Sequence, residues 1–111
     1  MNIESFNNEL SGNYEEYDTL CPFRDNDEWN ELRDERINII MGLLSSVKAC
    51  QLSYSSNRYM IIHPSTKQVG FYQISFFNDA LMPISDIMRD SIYKIACELV
   101  NYNFNLVDYT I

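Results

Sequence analysis

The sequence predicts a small α+β domain in which two long helices pack on a two- or three-stranded antiparallel sheet, in the order α-α-β-β-α-(β). Three observations carry that expectation. Apolar residues recur at helical three- and four-residue spacing from Trp29 to Cys50. Two runs rich in β-formers, 58–64 and 69–77, are joined by turn chemistry. A second helical stripe runs from Met88 to Val100. The 111 residues suit one domain with an ordinary core, and a content of 46% hydrophobic and 14% aromatic residues supplies what disordered chains lack.

Taken in order, Ile3, Phe6 and Leu10 predict a short helix over 3–11, closed by Gly12 as a left-handed C-terminal residue. Residues 13–24 show no clean period and read as a linking segment. Tyr14, Tyr17, Leu20 and Phe23 recur through it and would lay an apolar edge on the body. The main helix is expected from Asp25, where Asp25-Asn26-Asp27-Glu28 resembles a capping box and the clustered acids complement the helix dipole. Its stripe is Trp29, Leu32, Arg36, Ile40, Leu43, Val47 and Cys50.

Residues 51–57 are polar and turn-rich, with Leu52 and Tyr54 suited to a short edge strand. Residues 58–64 form a strand that stops at Pro64, residues 64–68 turn, and 69–77 return as the second strand of a hairpin. On that strand Tyr72, Ile74 and Phe76 share the face expected to meet the helices. After a loop at 78–83, Ser85 or Asp86 would cap a second long helix with the stripe Met88, Ile92, Ile95 and Leu99, ending near Asn101. The tail, 104–111, alternates imperfectly and suits a third strand.

Charge is distributed unevenly. Residues 1–36 hold eleven acids and three bases, and residues 37–111 hold five of each, so the whole net charge of −8 belongs to the first third. A pI near 4.4 argues against binding nucleic acid directly, because phosphates are neutralised by Lys and Arg. An anionic membrane surface is disfavoured for the same reason. No apolar run reaches the roughly 18–20 residues of a spanning helix, and MNIESFNNEL lacks the basic and apolar regions of a secretory signal. The three widely spaced cysteines fit reduced thiols, so a cytoplasmic protein is expected. Twelve Asn and twelve Ile against three Ala fit the AT-rich codons of a low-GC bacterium or its phage.

Candidate chemistry is sparse. Cys21, Cys50, Cys97 and His63 have the inventory of a zinc site or of a thiol-dependent centre, without the close C-x2-4-C pairs that structural zinc sites use. No phosphate-cradling, nucleophile-elbow, EF-hand or H-E-x-x-H pattern occurs, so no enzyme and no cofactor are expected. What remains is a surface. Glu15, Glu16, Asp18, Asp25, Asp27, Glu28, Glu31, Asp34 and Glu35, with Trp29 and neighbouring aromatics, would engage a basic protein: charge steers association and aromatic rings supply contact energy. Arg33 and Arg36, interleaved among these acids, would pair with some of them across helical turns. In size and charge alone the chain is similar to nucleic-acid-mimicking phage inhibitors, anti-CRISPR and anti-restriction proteins among them, and to nuclease immunity proteins. That similarity implies a non-catalytic inhibitor of a nucleic-acid-binding partner.

Overall fold

A computed structural model of the chain describes residues 2–20 and 27–111, with the side chains of Tyr17 and Leu20 excepted. The element order is α1 (Ile3–Leu20), α2 (Asp27–Ser46), β1 (Ala49–Ser55), β2 (Arg58–His63), a 3-10 turn (Pro64–Thr66), β3 (Gln68–Ile74), β4 (Leu81–Pro83), β5 (Met88–Arg89), α3 (Ile92–Leu99) and β6 (Asn105–Thr110). The α+β class is as expected, but among the described residues the sheet has six strands rather than two or three. Its order is β4-β3-β2-β1-β6, with β5 also on β3, and every pairing is antiparallel.

The β2–β3 hairpin forms as its sequence requires. Pro64 cannot donate to a ladder and ends β2, the 3-10 turn follows, and Lys67 adopts φ 55 with its N–H donating to the Pro64 carbonyl at 3.1 Å. The segment expected to be turn-rich, 51–57, instead supplies most of β1, an inner strand between β2 and β6. Its polar residues conceal a period of two. Cys50 and Leu52 are buried while Gln51 and Ser53 occupy the opposite face.

The helices differ from expectation at their ends. α1 does not stop at Gly12 but runs on to Leu20, so residues 13–20 are helix and not linker. The buried stripe of Phe6 and Leu10 continues into Asn13, only 3% exposed, and half-buried Tyr14, whose side chains tie the helix to the body. Those ties offset the roughly 1 kcal/mol that a glycine costs within a helix. Cys21, Pro22, Phe23 and the Asp25-Asn26 half of the expected capping box lie outside the described residues, while Asp27 and Glu28 form the first turn of α2. α2 ends at Ser46, where the Ser45 and Ser46 hydroxyls donate back to the Met41 and Gly42 carbonyls at 2.8 and 2.7 Å. Val47 and Cys50 are buried beyond the helix rather than on it.

α3 is eight residues long, capped by neither Ser85 nor Asp86 but by Ser91, whose hydroxyl accepts from the Lys94 N–H at 3.2 Å. The preceding residues are drawn to the open edge of β3. Leu81 and Met82 pair with Ile74 and Gln73, Met88 pairs with Val69, and the Ile84 N–H donates to the Phe71 carbonyl at 3.0 Å. Backbone pairing with an otherwise open strand outweighs the apolar period that suggested an earlier helix start.

β3 also ends earlier than expected and turns its other face inward. Val69 and Phe71 meet the core, whereas Tyr72 and Ile74 lie on the face away from it. Phe76 and Phe77, at 91% and 100% exposed, sit in the 75–80 turn. The Ser75 N–H donates there to the Ala80 carbonyl at 2.9 Å, and Asp79 adopts φ 53. The Tyr72 ring covers Gly70, where an added Cβ would stand 2.7 Å from it. One core cluster joins α1, α2, α3 and the inner sheet face, centred on Leu10, Ile40, Leu52, Met60, Ile95 and Phe104.

β6 is the tail strand the sequence suggested, but it pairs with β1 and leaves one edge toward α1. There the Asn7 amide stands in for a neighbouring strand. Its Oδ1 accepts from the Leu106 N–H at 2.7 Å and its Nδ2 donates to the Leu106 carbonyl at 3.0 Å. Asn7→Ala is expected to cost about 1–3 kcal/mol, because both Leu106 groups lose their partner on a strand edge. Urea melts check this, with size exclusion reporting any gain in self-association. An unchanged midpoint would show that water replaces the amide without loss.

Candidate protein-docking surface

The continuation of α1 and the first half of α2 create the acidic surface. The two helices pack on one another, and a cleft of about 570 Å³ along their seam is lined by Glu16 and Thr19 from α1 and by Glu28, Glu31, Leu32 and Glu35 from α2. Glu31 and Glu35 also line an adjoining cleft of about 500 Å³ with Glu9, Asp34, Asn38 and Ile39. Glu28, Glu31 and Glu35 share one flank of α2 through their three- and four-residue spacing, and Glu9 and Glu16 lie two turns apart on α1. Six carboxylates therefore front one two-helix surface, all exposed.

The residues expected from sequence divide around this surface. Glu16, Glu28, Glu31, Asp34 and Glu35 line the clefts. Glu15 and Asp18 on α1 and Asp27 on α2 are exposed and line neither; Trp29 is half-buried. Asp25 lies outside the described residues. Glu9 was missed, and its signal is the seven-residue interval to Glu16, visible only if the helix continues through Gly12.

The two arginines part company. Arg33 stands 4.0 Å from Asp34 in an exposed pair, a geometry that contributes little to stability. Arg36 is not on the surface; it is 1% exposed, turned inward along the same stripe as Leu32 and Ile40. Its Nε donates to Asn13 Oδ1 at 2.7 Å and its Nη1 to the Val100 carbonyl at 3.1 Å, and its guanidinium lies 4.5 Å from the centre of the Tyr14 ring. Asn13 Nδ2 donates in turn to the Leu32 carbonyl at 3.0 Å. The Tyr14 hydroxyl donates to the Phe104 carbonyl at 2.8 Å and accepts from the Phe104 N–H at 2.9 Å. This network fixes α1 on α2 and on the segments around β6, and so holds the carboxylates of the two helices in fixed relative positions.

The metal and thiol candidates are dispersed. Cys50 is buried on β1, Cys97 is half-buried on α3, His63 is exposed at the end of β2, and Cys21 lies outside the described residues. Among the described residues, no three His, Cys, Asp or Glu side chains converge as a group able to hold a metal ion. Burial pushes the Cys50 thiol up to about 12, which leaves it protonated and a poor nucleophile or ligand near neutrality. Among the described residues, no helix is long and apolar enough to cross a membrane.

Alkaline pH is expected to destabilise the fold. Burial raises Tyr14 from 10.0 to about 12, against the opposing pull of the Phe104 backbone bond and of Arg36, and it raises Cys50 from 9.0 to about 12. Both groups hold their protons more tightly folded than unfolded. Their contribution is fully present below about pH 9 and is lost as pH rises, first through Cys50 and from about pH 10 through Tyr14 as well. Urea midpoints measured from about pH 8 to about pH 11 should fall, and Cys50→Ala should remove the earliest part of the fall. A flat profile in the parent chain would contradict the burial of both groups.

Comparison with family models, with curated proteins and with solved structures returns no match.

Proposed function

We propose that the protein is a non-enzymatic inhibitor, acting in the cytoplasm, that docks its acidic α1–α2 surface on a basic protein whose ordinary ligand is nucleic acid. The observation that carries this reading is the lining of two adjoining clefts by Glu9, Glu16, Glu28, Glu31, Asp34 and Glu35. Fixed charge is supported by the Asn13–Arg36–Val100 ties beneath it. Spacing adds to the reading. Two helical turns from Glu28 to Glu35 rise about 10.5 Å and carry three carboxylates, one per about 5 Å of helix axis, sparser than the one phosphate charge per roughly 3.4 Å of duplex axis that a single strand carries. Such a surface would occupy a phosphate-binding groove and steer association over a Debye length of about 10 Å at moderate salt.

Reversing Glu28, Glu31 and Glu35 to Lys tests this reading. The three side chains are exposed, so the fold should survive. Proteins captured from a lysate by the parent chain should be lost by the triple variant, and capture should weaken steeply with salt. Capture that survives both reversal and salt would rule out this face as the docking surface.

A further inference from the structure

A second concavity, sharing no residue with the acidic clefts, has the chemistry of a cation site. It lies where the core-facing side of the sheet meets the end of α3, with a volume of about 300 Å³, and is lined by Tyr54, Phe71, Ile84, Ser85, Glu98 and Tyr102. That volume is at the low end for small-ligand pockets. Three aromatic rings converge at unlike angles. Tyr54 and Tyr102 have centroids 5.2 Å apart and planes at 68°, Tyr54 and Phe71 are 6.1 Å apart at 84°, and Phe71 and Tyr102 are 6.1 Å apart at 46°. All three rings are half-buried, so each retains accessible area, and Glu98 is exposed at the rim. We propose that this pocket binds an organic cation of the quaternary or N-methylated alkylammonium class.

The ligand class follows by elimination. An anion would meet the negative faces of the rings and the Glu98 carboxylate. A neutral hydrocarbon would lie against the Glu98 carboxylate and bring no charge to offset its desolvation. A bare divalent metal would find one carboxylate where hard cations take six or more oxygens. A simple primary ammonium is compact and strongly hydrated, and aromatic rings replace its water poorly. N-methylation spreads the charge over methyl groups that contact ring faces directly, which is the arrangement that attracts a cation to aromatic quadrupoles, while Glu98 supplies the counter-charge. Tyr102 suits this role. Desolvation first, then the Glu98 carboxylate and Tyr54, raise its phenol above the ordinary range, so the ring remains neutral at physiological pH.

Choline and 3,3-dimethylbutan-1-ol, its neutral carbon isostere, provide the test. The full chain, isotopically labelled, is titrated with each while the aromatic proton–carbon signals of Tyr54, Phe71 and Tyr102 are followed. Choline should shift all three signals saturably, and the isostere should bind about tenfold more weakly. Glu98→Gln, an exposed change that leaves the fold intact, should weaken choline several-fold. Tyr102→Leu should abolish the shifts, and Tyr102→Phe, which keeps the ring, should retain them. Equal binding of the isostere would overturn the proposal in favour of an apolar slot. The absence of a saturable choline shift at the three rings would overturn it outright. None of these results bears on docking by the acidic face, because the Glu28, Glu31 and Glu35 reversals leave the pocket untouched.

Discussion

Arg36→Ala is expected to cost about 3–5 kcal/mol of stability, since it removes two hydrogen bonds from a charged donor, each worth about 1.5–3 kcal/mol, and the packing of a buried side chain. Few single changes at this protein's surface would approach that, because exposed substitutions usually fall within about 0.5 kcal/mol. The loss arises from what is left behind. Asn13 Oδ1 and the Val100 carbonyl keep their buried positions but lose the Nε and Nη1 donors at 2.7 and 3.1 Å, and the Tyr14 ring loses the cation over its face. A fall of at least about 12 °C in the thermal midpoint should follow for a domain near this size. Arg36→Lys should retain most of the loss, because one ammonium cannot reproduce a planar fork spanning two acceptors. A double-mutant cycle with Asn13→Ala should give a coupling of at least about 1 kcal/mol. Additive losses would mean that the bond from Arg36 to Asn13 contributes nothing measurable.

Phe104→Ala is expected to cost a similar amount, about 3–5 kcal/mol, by emptying a fully buried site at the centre of the core. Its mechanism is different and separable. The Phe104 backbone would still exchange both hydrogen bonds with the Tyr14 hydroxyl, so the tie between α1 and this segment persists while the ring that stands edge-on to Tyr14 at 6.4 Å is lost. Denaturant melts read the loss. Added benzene or xenon should recover part of it, as an apolar cavity that stays dry accepts such ligands. A loss below about 1 kcal/mol would show that neighbouring helices collapse into the space.

The parts of the fold that were legible in sequence are those whose signals are local. The Pro64 stop, the turn that follows it and the two β-rich runs around it specify the β2–β3 hairpin without reference to the rest of the chain. The α2 stripe and the tail strand are read from period alone. What was not legible depends on partners far along the chain. Gly12 and Asn13 look like helix breakers until Asn13 is seen beneath Arg36, 23 residues on, and Arg36 in turn reaches Val100, 64 residues on. The serines of β1 look like loop until two flanking strands pair with it. Residues 81–83 look like loop and Met88 like the start of a helical stripe until β3 offers its edge.

The candidate site shows the same division. The flank formed by Glu28, Glu31 and Glu35 follows from spacing on one helix, and its contribution to the acidic surface was expected. Glu9 entered only because α1 continues through Gly12. Arg36 carried a usable signal, its place in line with Leu32 and Ile40, that marked it for the interior rather than for surface pairing. The aromatic pocket was beyond reach, because Tyr54, Phe71 and Tyr102 belong to three elements brought together only by folding.

The central claim is that the α1–α2 carboxylates occupy a nucleic-acid site on a basic partner, and competition tests it most directly. A partner captured by the parent chain is bound to labelled duplex DNA and to single-stranded RNA, and each complex is titrated with the protein at salt from about 50 to about 200 mM. The account predicts displacement of nucleic acid by the parent chain, weakening with salt, and none by the variant reversed at Glu28, Glu31 and Glu35. A ternary complex in which nucleic acid stays bound, or displacement unchanged by the reversal, would contradict it.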